Sequence, residues 1–196
     1  MSRSVSFRAL TVTFAAALVA VAGPISASPA LASNFGSTGT TGITGTTNGV
    51  WLTTSASFVV GRISLTSTYS SAVTTVMNGQ YNPTDLNVSI ASPTYCDSSL
   101  DTCIYDSDYG DNGLNGWNAC DGPTSGSHPN MRCTTQWVRI NQHYNPPANR
   151  IVCHEVAHSV GLRHTSEQAS CVKRTADGGN SSTLSTHDRG HLNATY

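Results

Sequence analysis

The 196-residue chain carries 10 basic and 11 acidic side chains, a formal net charge of −1, and 38% of its residues are hydrophobic. That balance argues against nucleic acid as a partner, because a phosphate backbone calls for a concentrated basic surface. It leaves enough apolar side chains for one domain with a real core.

Arg3 and Arg8 precede an uncharged Ala/Val/Leu-rich run from Ala9 to Ala22, and "SPALAS" follows. This is the pattern of a secretory signal peptide over 1–32, with Ala30-Leu31-Ala32 meeting the small-x-small cleavage rule. The run holds 14 residues, short of the roughly 20 that a helix needs to cross a bilayer, and Pro24 ends it. A secreted, extracellular chain with no membrane partner is expected. Without the leader, 8 basic residues face 11 acidic ones, a net charge of −3.

Residues 33–49 are almost entirely Gly, Thr, Ser and Asn, too polar to bury a face of their own, and read as a flexible arm. A single domain is expected over 50–196. "SFVVGRISLTS" (57–67) is β-branched enough for a strand. The following segment places Tyr69, Val73, Val76 and Met77 on one stripe, which predicts an amphipathic helix stopping at Asn78-Gly79. "DLNVSIA" (85–91) predicts a second strand, so the order suggests a sheet with a helical crossover.

From Cys96 to Cys133 the chain reads as loop. Asp101, Asp106, Asp108, Asp111 and Asp121 lie there among glycines, and a Ca2+ ion is a secondary expectation. The spacing does not match an EF-hand, however, and Asx-turns account for the same residues. "TTQWVRIN" (134–141) predicts another strand. Asn145 is then the expected N-cap and Pro146 the first-turn residue of a helix running to about Val160, which Gly161 stops.

Cys96, Cys103, Cys120, Cys133, Cys153 and Cys171 are an even set in a chain expected to be exported, and so predict three disulfides. Fifteen pairings are open; the sequential one closes the shortest loops. A cysteine zinc knuckle needs C-x-x-C spacings, and none occurs.

"HEVAHSVGLRH" (154–164) carries the chemistry. His154 and His158 lie one turn apart on one helix face, at a spacing suited to two bonds to one metal. Glu155 flanks that face, where it can reach a metal-bound water without being a ligand. Gly161 lets the chain turn and bring back His164 as a third imidazole. Three neutral nitrogen ligands leave one coordination position open, the mark of a catalytic rather than a structural zinc. His187 and His191 share the i, i+4 spacing but lack an adjacent glutamate and a third ligand; they read as a solvent-facing pair.

The eleven-residue stretch resembles the zinc signature of the metzincin metallopeptidases, matrixin-like in its pattern. It is similar in scale to the snapalysin type, which however uses aspartate where this chain has His164. The resemblance implies His154, His158 and His164 as ligands of one Zn2+ and Glu155 as general base. The family's methionine, in a turn beneath the metal, falls at Val172 here. "LSTHDRGHLNATY" (184–196) resembles the closing matrixin helix, with Ser185 and Asp188 forming a capping-box-like pair.

The implied fold is α+β: a twisted mixed sheet with a backing helix and an active-site helix, an upper part to about 161, and a small lower part, 162–196, ending in a helix. The implied function is a monomeric secreted zinc endopeptidase acting on extracellular proteins or peptides. The alternative is a secreted zinc-binding module without catalysis.

Overall fold

The computed structural model describes residues 34–39 and 49–196, all within one unit that spans Ser33–Tyr196. The expected signal peptide and the middle of the expected arm lie outside the described residues.

β1 (Ser57–Arg62) buries Phe58 and Val60 completely. α1 (Ser67–Val76) puts Tyr69, Val73 and Val76 inside, as the stripe requires. The helix does not stop at Asn78-Gly79. It widens into one π-helical turn, Met77–Tyr81, which keeps both Met77 and Tyr81 buried. There the Tyr81 hydroxyl donates to the Cys153 carbonyl at 2.7 Å. Burying two large side chains outweighs the weak stop signal of an Asn-Gly pair.

β2 (Asn87–Ala91) follows. The stretch expected as loop then supplies strands: β3 (Thr102–Ser107), β4 (Gly116–Cys120), and the two-residue pair β5 (Thr124–Ser125) and β6 (Arg132–Cys133). β7 is Gln136–Asn141. The main sheet has the order β2-β1-β3-β7-β4, and every neighbouring pair is parallel except β4 with β7. β3 is central. Its Thr102-Cys103-Ile104-Tyr105 run suits a strand, and the first three of these are fully buried between neighbours bonded on both sides.

Alternation along β7 sorts the two faces. Val138 and Ile140 are fully buried beneath α1 and a second helix, α2 (Ala148–Ser159), in one cluster with Val73, Met77, Val152 and Val156. Trp137 and Arg139 point the other way, and the Arg139 guanidinium lies 4.4 Å from the Trp137 ring centroid.

Asn145 is not the N-cap of α2. It sits in the left-handed region (φ 45°), closing a 3₁₀ turn, and α2 begins at Ala148 after Pro147. Two consecutive prolines explain the shift: each bars the residue before it from helical φ/ψ, so the helix starts only beyond the second. Gly161 behaves as expected, with φ 93°.

The disulfides pair sequentially: Cys96–Cys103, Cys120–Cys133 and Cys153–Cys171. After α2 the chain makes short turns and closes in α3 (Thr186–Thr195), where Ser185 and Asp188 form a complete capping box. Asp188, fully buried, also accepts from Ser170 Oγ at 2.6 Å and Asn34 Nδ2 at 2.9 Å.

Asn34 and its neighbours belong to the stretch expected as a flexible arm, and the described part of it is docked. Gly36 N–H donates to the Gly161 carbonyl, Arg163 N–H donates to the Asn34 carbonyl, and Phe35 stacks on His191. Backbone hydrogen bonds and one aromatic ring do here what the segment's composition alone could not.

Candidate metal centre

α2 carries His154, Glu155 and His158 into a buried position, with exposures of 8%, 4% and 7%. Their orientation is fixed from behind. The Nδ1 of His154 lies 2.8 Å from the Cys171 carbonyl, and the Nδ1 of His158 lies 2.8 Å from the Leu162 carbonyl. A carbonyl only accepts, so each Nδ1 holds the proton and each Nε2 keeps its lone pair for the site.

The turn after Gly161 brings His164 back. Its Nε2 is 3.2 Å from that of His154, and the candidate ligand atoms of all three histidines lie within 4.8 Å of one another. Nitrogens bound tetrahedrally to zinc at 2.0–2.1 Å stand about 3.3 Å apart. The donor set therefore fits a zinc ion. Burial lowers the pKa of all three imidazoles, His154 far below its usual value and His158 to about 4, so they are neutral as a metal requires. His164 is the solvent-facing member.

Glu155 is surrounded without being paired: no described group hydrogen-bonds its carboxylate, and burial pushes its pKa up to about 8 against the opposing pull of the Arg150 guanidinium. It lies against Gly116, where a Cβ would come 2.9 Å from its Oε1. Arg150 itself donates to the Lys173 carbonyl and so ties α2 to the turn carrying Val172. Neither Gly116 nor Arg150 was legible as part of the site. A glycine in a strand can mark close backbone approach, but β4 was not recognised as a strand.

Val172 is fully buried at the expected methionine position. Its turn is present without methionine: Cys171 is bonded to Cys153, and Ser170 Oγ links the Val172 N–H to Asp188. A cavity of about 290 Å³ opens beside His164, lined by Thr165, Ser166, Lys173, Arg174 and Asp177.

The model of the dual-action HEIGH metallo-peptidase family matches residues 27–190. The chain belongs to that family. It is a zinc metallopeptidase of metzincin type, and its substrates are proteins or peptides. Among curated proteins nothing matches it. Against the five letters of the family's name this HEIGH peptidase keeps His154, Glu155 and His158, with Val156 and Ala157 between them. Both are fully buried in the core.

The other sequence candidates do not form a second centre of this kind among the described residues. His187 and His191 approach to 3.2 Å between Nε2 atoms, but no third ligand joins them. Four aspartates of the 96–133 stretch accept hydrogen bonds from the protein. Asp101 accepts from Val59 N–H, Asp106 from Thr66, Asp108 from Gly110 N–H and Asp111 from the Tyr144 hydroxyl.

The buried titrating groups set a pH optimum for the metal-stripped HEIGH peptidase. Glu155, raised from 4.5 to about 8, keeps a proton that the unfolded chain has lost, so stability falls by about 1.4 kcal/mol per unit as pH rises from 6.5 towards 8. His158, lowered from 6.5 to about 4, refuses a proton that the unfolded chain takes up below 6.5. That loss cancels the Glu155 gain, and His154 and His164, lowered in the same sense, turn the balance downward. Thermal denaturation in chelator is expected to peak near pH 6.5. A profile that climbs steadily from pH 5 to 8 would contradict it.

Proposed function

We propose that this chain is a secreted zinc endopeptidase in which His154, His158 and His164 hold one Zn2+ and Glu155 is the general base. The observation that carries the reading is the convergence of three neutral imidazole nitrogens beside the buried Glu155 carboxyl, which no described group hydrogen-bonds. A zinc ion there supplies a water acidic enough to ionise near pH 7 and polarises the scissile carbonyl. Glu155 would take the proton at its carboxylate and return it to the leaving amine, and its burial-raised pKa would be drawn back towards the ionised form this needs by a zinc ion bound beside it. The Cys171 and Leu162 carbonyls hold two rings in the required tautomer throughout.

An extended substrate backbone lies along β4, whose Gly116 borders Glu155, and the cavity beside His164 takes a side chain. Three disulfides support an extracellular setting, and no described helix is long and apolar enough to cross a membrane. Purified protein should hydrolyse casein, lose the activity with a chelator and regain it with added zinc. Protein that binds one zinc per chain yet hydrolyses neither casein nor short peptides would be a non-catalytic module instead.

A further inference from the structure

β4 is the outermost strand on its side of the sheet, and its pairing with β7 fixes which backbone groups face the free edge. Asn141 N–H donates to the Asn115 carbonyl, and Asp121 N–H donates to the Thr135 carbonyl. Alternation then turns Asn115, Trp117, Ala119 and Asp121 inward, and Gly116, Asn118 and Cys120 outward. At Gly116, against Glu155, no described residue bonds the outward N–H or carbonyl. Two residues further on, the edge is already taken.

There Gly49 N–H donates to the Asn118 carbonyl at 3.1 Å, and Asn118 Nδ2 donates back to the Gly49 carbonyl at 3.3 Å. The seat is firmly built. Thr38 and Gly39 N–H groups both donate to the Val50 carbonyl, and Trp51 N–H donates to the His158 carbonyl. Gly39 and Gly49 lie flat against the Trp51 indole, where a Cβ would come within 1.9 Å and 2.5 Å of ring atoms, so only glycine fits at either place. Trp51 is 1% exposed.

We propose that Gly49, seated at Asn118, closes the substrate cleft on its amino side, so that a peptide gains backbone pairing for no more than about two residues before the cut bond. The inference rests on the peptidase reading above. A peptide adds to a free edge through main-chain hydrogen bonds, and antiparallel pairing is the more stable per residue. That direction sends the substrate's amino-terminal side from Gly116 towards Asn118. Pairing positions recur every second residue, roughly 7 Å along the strand, and the second is occupied. Residues after the cut bond therefore do the selecting, and long amino-side extensions contribute nothing.

The test starts from one well-cut bond in casein, identified by mass spectrometry of the products. Quenched fluorescent peptides built around it are lengthened one residue at a time, first before the bond and then after it. On the amino side, kcat/KM should level off at two residues and stay within about twofold out to five. On the carboxyl side it should rise by about fivefold or more with the first residues added, whose side chain the cavity beside His164 receives. A fivefold or larger rise between two and four amino-side residues overturns the proposal. So does a profile flat on both sides, which leaves the Gly116 edge no role. Either result leaves the peptidase reading standing, whereas failure to cut casein or any peptide removes both.

Discussion

Glu155→Gln is expected to lower kcat about a thousandfold while KM and zinc content stay within about twofold. The amide has the shape of the carboxyl it replaces, so the tight contact with Gly116 and the packing of α2 are kept. It cannot accept the proton. Without metal, burial favours the neutral carboxyl, so in the metal-free protein the substitution removes no folded-state charge that stability depends on. Parallel assays of casein hydrolysis, zinc content and melting temperature separate the two roles. Retention of more than a tenth of the activity would take Glu155 out of the proton transfer.

The largest effect on stability is expected from Cys153→Ser combined with Cys171→Ser. The bond spans 18 residues, a loop whose closure contributes about 3 kcal/mol, so the melting temperature should fall by about 6–12 °C. The same bond holds the turn beneath the metal to the helix above it. Cys171 supplies the carbonyl that fixes the His154 ring, so loosening the turn should also weaken zinc retention in competition with a chelator. Val172 offers less side-chain volume than the methionine at this place in the resembling family, and the covalent tie is expected to take over part of its anchoring. If the double variant melted and held zinc like the parent, that account of the turn would be lost. The Cys96→Ser/Cys103→Ser pair is the control: it should lower stability and leave zinc retention unaltered, since that bond lies in a separate cluster with Ile63 and Leu100.

Parts of the fold were legible because their signals are local. The stripe Tyr69, Val73, Val76 and Met77 needs only helical geometry to become a buried face, and the Ser185–Asp188 cap needs only three residues' separation. Other parts were not. β3 and β4 have polar, Asp- and Gly-rich surroundings, and each is completed as a strand by β7 beside it. Asn145 has the chemistry of an N-cap, yet the prolines after it move the helix start beyond its reach.

The sequence by itself set three imidazoles and a glutamate at spacings that one helix and one glycine turn bring together. Local geometry suffices there, because one helical turn and a left-handed glycine leave few other arrangements. Only the tertiary structure decided which way His154 faces, since the Cys171 carbonyl that holds its Nδ1 belongs to a turn 17 residues on; His158 finds its partner, the Leu162 carbonyl, within the same local turn. The tertiary structure also decided how Glu155 is buried and where no described residue bonds the edge of β4. Those are products of strands and loops meeting from as far apart as Gly49, Gly116 and Glu155, and no spacing within a single segment encodes them.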